Sequence, residues 1–338
     1  MAELKIELPA PVSGRLPVLD ELKGLAIILV ILYHAGGVLV WNNYLHGDIG
    51  VDMFVILSGL GLALGSHYKD ARTFLARRYL RLMPAYWVIL TLYVVCNQHF
   101  LQHDYSVLNL TVHYLGIHAL LGDAWGLAIN DSFWFISAIL GFYLCYCPLH
   151  HLLDRPDRFL FWSALLSTGV ALLLFFTGQA GLMGLLGFRM GGFFLGMLLG
   201  HVLKTGRLVL PLNTRLAWAF LIFSYVPYTC GITFVSALVA LALMAAYVLA
   251  IRPRLPGPVG PPVTSGLAFL GVHSLEIFLI HQPLMREYNY YLHGRWFNVI
   301  RPSPFSLIVG MVIALAVTLL LSVELRRLLQ KLPFPAKA

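Results

Sequence analysis

Apolar runs of about 20 residues recur from one end of this chain to the other, and short connectors carry most of the charge between them. That pattern leaves few options. Of 338 residues, 59% are apolar and only 11% are charged, against roughly 45–50% and about 25% in an ordinary soluble domain. A soluble shape could not cover so much apolar surface with so few charges. The chain therefore reads as an all-α integral membrane protein, organised as one polytopic domain over residues 1–338. A net charge of +8 would suit nucleic-acid binding, but the cations sit in connectors between apolar runs, which excludes nucleic acid as a partner. The four cysteines, Cys96, Cys145, Cys147 and Cys230, lie in or beside apolar runs and indicate neither a disulfide framework nor a metal site. The first apolar run is longer than a signal-peptide core and reads as a retained span.

At about 20 residues per span, ten helices begin near Leu22, Ile49, Leu82, Ser132, Phe159, Leu182, Leu212, Phe234, Ser265 and Phe305. The piece from Tyr105 to Gly122, with His113 and His118, could be re-entrant or interfacial, which leaves nine or eleven spans open. Pro84, Pro148, Pro211 and Pro304 fall near expected span ends, where a missing N–H matters little. With the N-terminus in the cytoplasm, Lys5, Arg15, Lys23, Lys69, Arg72, Arg77, Arg78 and Arg81 fall on the cytoplasmic side. So do Arg155, Arg158, Lys204, Arg207, Arg215, Arg252, Arg254, Arg326, Arg327, Lys331 and Lys337. These are nineteen of the 23 basic residues, against Arg286, Arg295 and Arg301 outside and Arg189 in or near the sixth span. So strong a positive-inside bias predicts cytoplasmic N- and C-termini. Gly192, Gly196 and Gly200, and Gly61 with Gly65, repeat every four residues, a spacing that lets helix backbones approach.

His34 lies about twelve residues into the first span, where a titratable group is a functional candidate by default. Packing against a neighbouring helix is the plainer alternative. Lys23 precedes it by eleven residues, almost three turns, so the two share a face roughly 16 Å apart. One stripe thus offers a cation at the cytoplasmic mouth and an imidazole deep inside, although Lys23 alone could simply snorkel. Asp52 opens the second span and could orient the His34 ring, or remain a solvated interfacial acid. Arg77, Arg78 and Arg81 could grip phosphate, or serve topology and anionic lipid. Arg189 and Glu276 could neutralise each other, and His281 opens the His281-Gln282-Pro283 turn near the outer end of the ninth span.

Four segments together resemble the acyltransferase-3 family of membrane O-acyltransferases. They are Leu19-Asp20-Glu21-Leu22-Lys23-Gly24-Leu25-Ala26 with Tyr33-His34; Gly50 to Gly59; Arg78 to Trp87, through Arg81-Leu82-Met83-Pro84; and Phe278-Leu279-Ile280-His281-Gln282-Pro283. The resemblance implies an active site around His34, with Lys23, Arg78 and Arg81 serving donor binding or site architecture, and Arg77 beside them joins the expected donor-binding cluster. It also implies an acyl-CoA-type donor on the cytoplasmic side, acetyl-CoA foremost, as co-substrate with no bound cofactor. Asp52 would support the histidine, and Glu276, His281, Arg189 and Trp134 are candidate supporting groups. The implied acceptor is a hydroxyl of a surface glycan or other carbohydrate, and the implied location is a bacterial inner membrane, among its lipids.

Two departures stand out. Lys23 occupies a position where the family commonly has arginine, whose bidentate grip a lysine cannot reproduce. The stretch Phe133-Trp134-Phe135-Ile136-Ser137-Ala138 lacks the glutamate that many members carry in a Trp-x-x-Ser-x-Glu segment. Asp52 or Glu276 could meet that role instead. No soluble hydrolase-like extension is expected after the tenth span. A transporter or flippase using His34, Asp52, Arg189 and Glu276 as a substrate or proton path is the competing class.

Overall fold

The computed structural model describes residues 3–7, 16–39, 47–65, 70–177, 186–211, 235–289 and 304–331. The expected helices starting near Leu212 and Phe234, the outer cations Arg295 and Arg301, and Cys230 fall on or begin at residues outside that set.

The described chain is helical. Its main helices are α1 (Pro17–Leu39), α2 (Asp48–Leu64), α3 (Ala71–Cys96), α4 (Val107–Leu115), α5 (Trp134–His150) and α6 (Pro156–Phe176). After them come α7 (Leu186–Thr205), α8 (Val235–Ala246), α9 (Gly260–Val272), α10 (Ser274–Asn289) and α11 (Pro304–Gln330). One small addition is an antiparallel ribbon of β1 (Glu3–Glu7) and β2 (Arg207–Pro211), which ties the start of the chain to the segment leaving α7.

Four described stretches are long and apolar enough to cross a membrane: Ala71–Phe100, Pro156–Leu174, Ser236–Arg254 and Ile308–Gln330. The pair α9 and α10, bent by 76° at His273, makes a fifth where the two limbs count as one broken span rather than a re-entrant loop. Their outer faces carry exposed Leu92, Val95, Leu173, Leu249, Val312 and Leu320, side chains suited to lipid. The piece between Tyr105 and Gly122 is no span. α4 has nine residues, a rise of about 13 Å at 1.5 Å each, and it stops at Gly116, whose φ of 73° suits glycine.

Local chemistry moves some expected boundaries. The third helix starts at Ala71, eleven residues before the expected start at Leu82, because Asp70 caps it by accepting from the Thr73 amide at 2.8 Å. The Thr73 amide and hydroxyl hold the Asp70 carboxyl below the usual carboxylate range. Arg72, Arg77, Arg78 and Arg81 are therefore helical rather than looped, and Pro84 sits inside α3. Pro283 likewise lies inside α10, so His281 is a helical residue and opens no turn.

The core is built around α5, buried on most of its faces through Trp134, Phe135, Phe142, Tyr143 and Tyr146. The expected glycine stripe on α7 is real. A Cβ on Gly196 would meet the Ile56 carbonyl at 2.0 Å, and one on Gly200 the Leu60 carbonyl at 2.5 Å. Gly192, Gly196 and Gly200 thus step along α2 in the same direction, with the two backbones in contact. On α2 the close approach falls at Gly59, while Gly61, expected in a small-residue stripe with Gly65, has nothing within 4 Å.

Candidate active site

α1 places Lys23 and His34 along one stripe. The Lys23 ammonium lies 3.3 Å from the Asp20 carboxylate. The His34 ring meets His281 of α10, with centroids 5.0 Å apart and planes tilted by 56°. Tyr33 stands edge-on to His34 at 5.2 Å. His281 is fully buried, walled by Phe278, which also packs on Phe135 of α5.

The His281 ring is oriented by its own helix. Nδ1 lies 2.7 Å from the Phe278 carbonyl and 3.2 Å from that of Ile277. Carbonyls only accept, so Nδ1 carries a proton and donates; in the neutral tautomer this leaves the ring's lone pair at Nε2. Among the described residues that buried Nε2 has no hydrogen-bond partner. A bare imidazole nitrogen in the interior, next to a second histidine, is an arrangement suited to proton transfer.

A second polar layer joins α2, α7 and α5. Asp52 is 3% exposed, and its Oδ1 lies 3.9 Å from Arg189 Nε. The Arg189 guanidinium stands over the Trp134 ring, 5.1 Å from its centroid. Arg189 therefore pairs with Asp52, and Glu276 with Arg326 of α11 at 3.4 Å. The expected mutual neutralisation of Arg189 and Glu276 does not occur, because each has a partner on another helix.

Arg77 and Arg81 are exposed on α3, and Arg78 is half-buried with its guanidinium 5.5 Å from the Phe74 ring centroid. Tyr143 and Tyr146 of α5 lie within its electrostatic reach. Among the described residues no carboxylate forms an ion pair with any of these three arginines.

Three charged groups carried no sequence-level role in the site. Glu21, 3% exposed, accepts from Tyr247 Oη at 2.7 Å and takes both arms of the Arg252 fork at 2.7 and 3.1 Å. It lies within the Leu19–Ala26 segment, but nothing local names a partner 231 residues away. Asp131, in the turn before α5, is the carboxylate whose field reaches His34. Arg326 lies in the last helix, among cations that topology alone explains. His113 and His118, fully buried, stack at 4.0 Å, and His118 bridges the Phe133 carbonyl and Ser137 Oγ. Among the described residues no cluster of three or more His, Cys, Asp or Glu side chains could hold a metal.

A helical membrane protein with histidines facing each other in its interior is the class that these features define. The family model described as "Acyltransferase domain" matches residues 16–324. The chain belongs to that family, which places it among acyltransferases. A stretch of 70 residues is 46% identical to a candidate membrane-bound transacylase, BcsY, of Komagataeibacter xylinus, covering 20% of this chain and 17% of that one. A candidate peptidoglycan O-acetyltransferase of Bacillus subtilis, YrhL, is 30% identical over 163 residues, covering 38% of this chain and 24% of its own length. The peptidoglycan O-acetyltransferase OatA of Listeria monocytogenes is 29% identical over 151 residues, 36% of this chain and 23% of that protein. The chain thus spans about a quarter or less of these curated relatives. No solved structure matches it.

Proposed function

We propose that this chain is a membrane O-acyltransferase moving an acetyl or similar acyl group from a cytoplasmic acyl-CoA-type donor to a hydroxyl of a surface glycan. The observation that carries the reading is the His34–His281 pair, 5.0 Å apart in a family-matched chain. Its topology is ten spans within one domain over residues 1–338, with both termini cytoplasmic, in a bacterial plasma membrane. The same-direction packing of α2 on α7 supports this, since second and sixth spans cross in the same sense.

The donor's phosphates rest against Lys23, Arg77, Arg78 and Arg81, the last three in no ion pair with a carboxylate among the described residues. Its thioester reaches up the α1 stripe. His34 takes the proton of the acceptor hydroxyl as that oxygen attacks the thioester carbon; the carbon–sulfur bond breaks, and the leaving thiolate recovers the proton from His34. His281, with Nδ1 committed to backbone, offers Nε2 to the same proton. His34 could alternatively carry the acyl group transiently before the hydroxyl takes it. Asp52, Arg189 and Trp134 hold the surrounding helices, and Glu276 anchors α10. The relatives named for peptidoglycan O-acetylation support a glycan acceptor of that kind.

The test supplies membranes bearing the protein with acetyl-CoA labelled in the acyl group, and follows label into lipid-linked and polymeric glycan together with thiol release. Coupled release and incorporation are expected. A protein that instead moves a glycolipid across the bilayer, indifferent to acetyl-CoA, would be the transporter of the competing class.

A further inference from the structure

The break between α9 and α10 deserves a cause, because α10 is the helix that delivers His281. A helix that stops leaves its last carbonyls without intrahelical partners, to be met by a side chain or by water. Here one side chain from a distant helix meets the break from both sides. Arg326 Nη1 of α11 donates to the carbonyl of Val272, the last residue of α9. The same nitrogen lies 3.4 Å from each oxygen of Glu276, in the first turn of α10. The carboxylate also sits where a helix N-terminus favours negative charge.

The limb before the break is fixed independently. A Cβ on Gly271 would fall 1.7 Å from the Asp20 carbonyl, and one on Gly24 2.0 Å from that of Leu267, so α9 and α1 touch backbone to backbone. With α9 held on α1, the bend decides where α10 carries its side chains. His281 is seven residues beyond Ser274, a lever of roughly 10 Å. A change in bend of about 15° would move it roughly 3 Å, enough to undo a ring separation of 5.0 Å.

We infer that Arg326 is a positioning residue for the transfer reaction: by bonding Val272 and Glu276 across the break, it sets the angle that holds His281 against His34. This rests on the reading that His34 carries the chemistry. Arg326 touches neither substrate nor ring, and acts through α10.

The experiment compares purified native protein with Arg326→Lys, Arg326→Ala and His34→Ala, each rate normalised to folded protein recovered from size exclusion. Arg326→Ala is expected to lower kcat by about tenfold or more with the donor KM within about twofold of native, the signature of lost alignment rather than lost binding. Arg326→Lys, which keeps a cationic donor beside both partners, should recover part of kcat. Unchanged kcat per folded molecule in Arg326→Ala would overturn the inference, as would a raised donor KM at native kcat or a lysine variant no better than alanine. If Arg326→Ala yields no folded protein, Glu276→Gln removes one arm of the lock and is judged by the same kcat and KM criteria. Retained transfer in His34→Ala would instead sink the reading beneath it, whatever Arg326 does.

Discussion

Removing Arg189 should expose how strongly the interior of this bundle depends on one ion pair. Asp52 is 3% exposed and Arg189 9% exposed, with 3.9 Å between Nε and Oδ1. At an effective dielectric constant of about 20, two unit charges that far apart attract by about 4 kcal/mol. Much of that offsets the cost of taking both ions out of water, so replacing the whole pair with neutral groups should be far milder than removing one partner. Arg189→Met removes the cation of this pair from beside a buried carboxylate and also loses the stacking on Trp134. It should cost about 3–5 kcal/mol. Asp52→Asn strands the guanidinium instead, at similar cost. The double variant should recover at least ~2 kcal/mol relative to the sum of the two singles. Unfolding of the detergent-solubilised protein by sodium dodecyl sulfate, followed by Trp fluorescence, measures all four forms. Single variants losing less than ~1 kcal/mol each and adding independently would show that the pair is solvated, and would refute its place in a buried layer.

Arg78→Ala should raise the donor KM by about tenfold or more while leaving kcat within about twofold, since one charge-assisted phosphate contact is worth about 1.5–3 kcal/mol; initial rates across acetyl-CoA concentrations read this, and an unchanged KM counts against a donor role. Glu21→Gln should destabilise the protein by about 1.5–3 kcal/mol by weakening the bonds to Tyr247 and Arg252, seen as a lower thermal midpoint in detergent, whereas an unchanged midpoint would mean the clamp adds nothing. Gly196→Leu should prevent assembly, because its Cβ would sit 2.0 Å from the Ile56 carbonyl; a well-folded Gly196→Leu protein on size exclusion would contradict the close approach of α2 and α7.

The membrane class, the family and the α1 stripe were legible in sequence because each rests on composition or on spacing within one segment. Lys23 and His34 are related by helical period alone, and the α7 glycines by a repeat of four. Pairings between segments were not legible. Charge alone matched Arg189 with Glu276, and only the packing of α2 on α7 brings it to Asp52 instead. Glu21 and Arg326 looked like an unremarked acid and a topology cation, since neither partner is near in sequence. The start of α3 was misplaced for a different reason: hydropathy marks where apolar residues begin, while the Asp70 cap marks where the helix begins. The bend at His273 left no proline to announce it, so α9 and α10 read as a single span.

The most direct test of the central claim sets native protein beside His34→Ala in membranes supplied with acetyl-labelled acetyl-CoA, after both are shown to insert and fold alike. Thiol release and label in glycan are expected from the native protein and neither from the variant. Label incorporated at the native rate by His34→Ala would contradict that claim.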